Sequence, residues 1–161
     1  MSHRTRTFSW DDPLEMAAAI SELSGLERMR QVISGELPAP PIAQLMNIRL
    51  VEADEGRVVF EGVPEEYHYN PIGMVHGGFA ATILDSAMGC AVHTLLPARV
   101  AYTTLEFKLN FVKPVKVATG KVRAIGTVLH GGRTTSLAEG RLVTTEGTLL
   151  AHATTTCLIF R

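Results

Sequence analysis

The segment HGGFAATILDSAMGCAVHTLLP, beginning at His76 and ending at Pro97, constrains this chain more than any other stretch. Residues 78–96 are helix-compatible, and Pro97 stops them. They are apolar nearly all round, so the helix has no polar face to give to water and must be buried. The second half of the chain supplies strands to enclose it. In TLEFKLNFVKP, Leu105, Phe107, Leu109 and Phe111 alternate with Glu106, Lys108 and Asn110, the period of a half-buried strand. Residues 115–129 predict another strand, with Gly120 or Gly126 marking a bulge. His130-Gly131-Gly132 turns the chain, residues 133–145 return it, and residues 148–160 close it after the Glu146-Gly147 turn. Upstream, residues 48–53 and 57–63 flank the turn Asp54-Glu55-Gly56. Strands, one buried helix, then long antiparallel strands is an α+β pattern. Its simplest packing wraps the sheet around the helix. An exposed edge strand then needs covering or pairing, and a dimer that joins two sheets edge to edge is one solution.

Residues 1–40 predict a helical extension, separate from a main domain over 41–161. Asp11 and Asp12 before Pro13 suit an N-cap followed by proline at the first helical position. Ser24 and Glu27 have the capping-box spacing, and Gly35 ends that second helix. Pro38, Pro40 and Pro41 form a stiff connector.

A length of 161 residues fits one domain. With 46% hydrophobic and 19% charged residues, the chain is no disordered segment. Fifteen Lys+Arg against sixteen Asp+Glu leave a formal net charge of −1. That provides no basic excess for a phosphate backbone, so no nucleic-acid partner is expected. No apolar stretch follows the basic N-terminal residues. The longest apolar region, 79–92, is too short for a membrane span and is interrupted by Asp85. The expected compartment is therefore the cytoplasm, with no membrane partner. Cys90 and Cys157 make no C-x-x-C pair and read as buried small hydrophobes. His68, His93, His130 and His152 lack metal-like spacing, so no metal is expected.

Three features stand out as candidates for chemistry. Asp85 sits mid-way along the most apolar helix, where an ionised carboxylate is costly unless paired or hydrogen-bonded. A structural aspartate and a functional one are equally good readings of that position alone. His76-Gly77-Gly78 opens the helix, where free N–H groups and the positive dipole end favour a developing negative charge. A plain glycine turn with His76 as a cap explains the string as well. Asn70, six residues before His76, is by itself an ordinary turn former.

The combination is more specific. N-P-x-G-x-x-H-G-G, then an acid nine residues after the histidine inside an apolar helix, resembles the hotdog-fold acyl-CoA thioesterases of the phenylacetate-pathway (PaaI) type. The resemblance runs from about Gly35 to the C-terminus. It takes in ISGELPAPPIAQLMNIRLVEADEGRVVFE, the N-P-I-G-M-V-H-G-G loop, the T-L-E-F-K-L-N-F-V-K-P strand and the H-G-G-R-T-T turn. It implies an antiparallel sheet wrapped around one long helix, a homodimer or a dimer-of-dimers tetramer, and an active site shared by two chains. Geometry argues for sharing independently: Gly77 and Asp85 are eight residues apart, roughly 12 Å along one helix.

Carried onto this sequence, the resemblance implies that the Gly77 N–H polarises a thioester carbonyl and that Asn70 helps hold the carbonyl or a water. Asp85 of the other chain acts as general base or as nucleophile, two paths the residues do not separate. His76 supports the loop. Thr104, with Thr103 close behind, positions the water or the acid. Gly78 joins the substrate-binding set, and Arg133, with Gly132 and Thr134, is the candidate contact for the phosphates of coenzyme A. A solvated arginine on a hairpin is an equal reading of Arg133. Met46, Phe79, Leu84, Met88 and Tyr102 are candidate acyl-pocket residues and equally plain core. Coenzyme A belongs to the substrate, so no separate cofactor is expected. Two rivals remain: an acyl-thioester hydratase or dehydratase using His76 with Asp85, and a non-catalytic acyl-CoA binding protein.

Overall fold

A helix with no polar face has been given a whole sheet to cover it. The computed structural model describes residues 2–161. Three short helices, α1 (Pro13–Ala19), α2 (Gly25–Ser34) and α3 (Pro41–Met46), lead into the hairpin β1 (Ile48–Asp54) and β2 (Arg57–Gly62). A 3-10 turn at Glu66–His68 and a loop precede the long helix α4 (Gly77–His93). The strands β3 (Ala101–Phe111), β4 (Val122–Gly131), β5 (Thr135–Thr144) and β6 (Leu149–Phe160) complete the chain. All six strands form one antiparallel sheet in the order β1-β2-β4-β5-β6-β3. Helix α4 touches every strand. Phe79, Ile83, Leu84, Met88 and Val92 are buried between helix and sheet. This is the wrapped-sheet arrangement that the resemblance implies.

The closeness of that packing explains one glycine. A Cβ added at Gly126 would lie 2.2 Å from the carbonyl oxygen of Ala87. Residue 126 is therefore where β4 meets the backbone of α4, and it stays in regular register with Val58 and Gly140. The bulge expected at Gly120 or Gly126 falls instead at Leu129, between Val128 and His130. Strand β4 also begins later than expected. Residues Val117–Thr119 form a 3-10 turn and Gly120 has a φ of +68°, a left-handed conformation that ends any extension of the strand.

The long helix ends three residues earlier than the apolar run suggests. The Thr94 hydroxyl donates to the Ala91 carbonyl (2.6 Å) and accepts from the Gly56 N–H (2.8 Å), tying the helix end to the β1–β2 turn.

The N-terminal caps form as the sequence predicts. Asp12 accepts from the Leu14 N–H (2.8 Å), Ser24 and Glu27 form the capping box, and Gly35 is left-handed at φ +83°. The extension packs onto the main body. Helix α2 lies on β1 and reaches the end of α4, where the Gly25 N–H donates to the Leu96 carbonyl (3.0 Å). A side chain at Gly25 would collide with the His93 carbonyl at 1.8 Å, so this crossing requires glycine. Among the described residues, no helix is long and apolar enough to cross a membrane.

Candidate active site

Asp85 is held at one oxygen and open at the other. Its Oδ1 accepts from the Thr104 hydroxyl at 2.9 Å. No described residue donates to Oδ2, and no described cation lies within ion-pair distance of the carboxylate. The wall behind it is neutral. Burial pushes the Cys90 thiol up to about 12, and the Asp85 charge adds to the effect. Burial likewise raises Tyr102 and Cys157. Asp85 itself is half-buried.

A β-bulge decides which threonine reaches it. Strand β3 pairs Thr104 with Cys157 and Glu106 with Thr156, so Leu105 is the extra residue. Simple alternation from Phe107 and Leu109 would turn Thr103 inward and Thr104 out. The bulge resets the parity, so Tyr102 and Thr104 face α4 before it and Phe107 and Leu109 after it. Thr103 is exposed on the other face, and Leu105, expected inside, is 55% exposed.

The loop ahead of α4 folds around Asn70. Its Oδ1 accepts from the Ile72 N–H (3.2 Å) and the Met74 N–H (3.1 Å), an Asx turn closed by Gly73 at φ +76°. The Nδ2 amide meets no acceptor among the described residues. His76 is the N-cap of α4: its Nδ1 accepts from the Gly78 N–H at 2.8 Å. The cap consumes Gly78 and leaves Gly77, whose N–H meets no acceptor among the described residues. A donor at the positive end of a 17-residue helix is suited to an oxygen gaining negative charge.

Gly77 borders a cavity of about 430 Å³ lined by Met74, Phe79, Phe111, Lys113 and Leu150 among others. Phe111 closes on the glycine so tightly that a Cβ there would lie 2.8 Å from the ring. Asp85 is not on this cavity. Within one chain Gly77 sits by Phe111, at one end of β3, and Asp85 by Thr104, toward the other.

Comparison with known proteins gives this arrangement a family. The family model for the Thioesterase superfamily matches residues 72–151, which hold the loop, the helix and the central strands. Human acyl-coenzyme A thioesterase 13 is 30% identical over 127 residues, covering 73% of this chain and 89% of that one. The chain belongs to the thioesterase superfamily. A Halobacterium salinarum protein with a provisional esterase name is 38% identical over 84 residues, and that match spans 51% of this chain and 54% of the other. The Escherichia coli PaaI protein from the phenylacetic acid degradation operon has the same fold, with a TM-score of 0.74 at 19% identity over 86% of this chain and 97% of that one. The hotdog fold and a thioester hydrolase class follow for this chain.

In this thioesterase the remaining sequence candidates divide. Arg133 is exposed on the β4–β5 turn, where Gly132 donates to the Thr135 carbonyl (3.0 Å) and the Thr134 carbonyl accepts from Ile159 (2.9 Å). Thr135 and Thr103 both pair with Leu158, so the turn lies toward the Asp85 end of β3. Of the candidate acyl-pocket residues, Phe79 lines the cavity beside Gly77, whereas Leu84 and Met88 are fully buried core. Tyr102 packs on Gly89, and Met46 packs against the core. Phe111 is the lining residue that the sequence hides. Its place in an alternating strand suggests core, but it is 62% exposed and covers the helix N-terminus.

Proposed function

We propose that this protein hydrolyses acyl-CoA thioesters to the free acid and coenzyme A, in a site built from two subunits. The observation that carries this reading is the division of labour along α4. A free N–H at Gly77 stands at its positive end, and a half-tethered carboxylate at Asp85 stands eight residues further on. One thioester cannot meet both from the same helix at roughly 12 Å.

Strand β3 offers the remedy, since it is the edge of the sheet and has one open side. An antiparallel pairing of two such strands about a two-fold at Lys108, with Leu105 as the extra residue of the bulge, sets Phe111 of one subunit level with Thr104 of the other. Gly77 then approaches Asp85 across the interface, and the pairing covers an eleven-residue edge. A dimer of dimers uses the same pairing.

The chemistry follows from those positions. The Gly77 N–H and the Asn70 amide hold the carbonyl oxygen as it becomes an oxyanion. Asp85 Oδ2 takes the proton of a water that attacks the carbonyl carbon, or attacks that carbon itself to form a mixed anhydride that water then hydrolyses; in either path the C–S bond breaks and coenzyme A departs as its thiolate. Thr104 keeps the carboxylate aimed. Arg133, toward the Asp85 end, meets the phosphates. No metal enters any of these steps. The similarity to acyl-coenzyme A thioesterase 13 supports acyl-CoA as the substrate class.

Thiol release from a panel of acyl- and aryl-CoAs, for the native protein and Asp85→Asn, tests the reading. The expected result is turnover that falls about 10²–10⁴-fold in kcat in the variant. Acyl-CoA binding without any thiol release would overturn it. Hydration of enoyl-CoA, or a purely binding role, would then be the reading to pursue.

A further inference from the structure

The segment before α1 has no regular structure, and residues 2–15 are all exposed. It adds nothing to the core, yet Arg4 and Arg6 fasten it to the main body. Arg6 donates through Nη1 to the Leu45 carbonyl and through Nη2 to the Gln44 carbonyl, each at 2.6 Å. These carbonyls belong to the last turn of α3, where the Gln44 carbonyl also accepts from the Asn47 N–H (3.4 Å) and a cation meets the negative end of the helix. The same guanidinium lies 4.0 Å from the centre of the Tyr67 ring. Arg4 pairs with Glu66 alongside. One side chain thus joins the end of α3 to the 3-10 turn that precedes the site loop.

That turn carries the loop directly. The His76 N–H donates to the His68 carbonyl (2.8 Å), Tyr69 bridges Val75, and the Asn70 N–H donates to the Met74 carbonyl (2.8 Å). His76 then caps α4 and leaves Gly77 free. Within the turn, the His68 N–H donates to the Glu65 carbonyl (2.9 Å) and the Tyr69 N–H to the Glu66 carbonyl (3.1 Å). His68 is buried with Nδ1 accepting from the Glu65 N–H (3.0 Å), so Nε2 bears the proton, and that N–H has no hydrogen-bond partner among the described residues. The turn thus carries one unpaired buried donor, and Arg6 adds a grip from outside on the neighbouring Tyr67.

We infer that Arg6 is a positioning residue for the reaction: by clamping Tyr67 to the end of α3, it fixes the loop that aims the Gly77 N–H at the thioester carbonyl. The inference rests on the role proposed for Gly77 and gives the N-terminal extension a part in that role. The clamp acts through the loop and touches no reacting atom.

The test uses the full chain with Arg6→Ala and Arg6→Lys, and Arg141→Ala, on exposed β5 surface, as control. Amide hydrogen exchange at Asn70 and His76 reads the loop without any substrate. Removing two charge-assisted hydrogen bonds should speed exchange there by roughly 10-fold or more in Arg6→Ala, with strand amides of β5 unchanged. On the best acyl-CoA, kcat should fall by about 10-fold with KM less affected, because the Gly77 donor acts mainly on the oxyanion. Lysine keeps the charge over Tyr67 but not the two-carbonyl fork, so Arg6→Lys should recover part of both losses. Unchanged exchange in Arg6→Ala would overturn the clamp, and faster exchange with unchanged kcat would overturn its role in the reaction. Faster exchange in a protein whose native form releases no thiol would instead sink the thioesterase reading and leave the clamp standing.

Discussion

Thr104 and Asp85 are nineteen positions apart, on β3 and α4, and their side chains meet in a 2.9 Å hydrogen bond. The bond fixes one carboxylate oxygen and directs the other away from the strand. Removing the hydroxyl while keeping the shape, with Thr104→Val, should lower kcat roughly 10- to 100-fold, the worth of one hydrogen bond to a charged group. Thr104→Ser should retain most of the activity. Thr103→Val, on the opposite face, should leave kcat unchanged. Steady-state kinetics on the three variants checks the ordering, and equal losses at 103 and 104 would contradict it.

A site divided between subunits predicts complementation. Asp85→Asn and a second variant disabled at the Asn70–Gly77 loop should each be inactive as homodimers. A mixed dimer places both defects in one site and leaves the other intact. Unfolding the two together and refolding them should restore about a quarter of native specific activity, the share expected from random pairing. A mixture that stays inactive, once mixed dimers are shown to be present, would mean that each chain carries a whole site.

Two of the glycines that face α4, Gly126 and Gly140, should not tolerate alanine equally. At Gly126 the new methyl meets the Ala87 carbonyl oxygen at 2.2 Å, and backbone cannot step aside. At Gly140 it meets Met88 Cγ at 2.9 Å and Leu84 Cδ2 at 3.0 Å, in side chains able to adjust. Gly126→Ala should cost about 3 kcal/mol and Gly140→Ala about 1 kcal/mol. Urea denaturation of the two variants measures the difference.

His93 predicts how stability responds to acid. Burial, and then the nearby Arg28 charge, lower its pKa to about 4 in the folded protein. The unfolded chain takes up that proton near pH 6.5, before the folded one does. The contribution of His93 is therefore complete above about pH 6.5 and is lost as pH falls toward 4. At pH 5 the loss should be about 2 kcal/mol. His68, also lowered by burial, acts in the same direction. Denaturant midpoints at pH 7.5 and pH 5 should differ clearly for the native chain and less for His93→Gln. A native protein equally stable at both would refute the assignment.

Sequence alone determined the parts of this protein that local chemistry dictates. An apolar run with no polar face must be enclosed, so α4 and the strands around it were legible, as were the Ser24–Glu27 capping box and the left-handed Gly35. Asp85 stood out because a carboxylate in such a helix demands an explanation, and the spacing from Asn70 to His76-Gly77-Gly78 indicated the family. The tertiary structure decided what depends on pairing across the chain. Thr104, not Thr103, meets Asp85 because a bulge at Leu105 shifts the register of β3 against β6, some fifty residues away. Gly126 proved to be a point of contact with Ala87 rather than a bulge, since its reason lies in the helix that crosses it. Phe111 left the core because the sheet ends beneath it and α4 begins there. Alternation and propensity act between neighbours in sequence, whereas register and close approach are set by residues that meet only after the chain has folded.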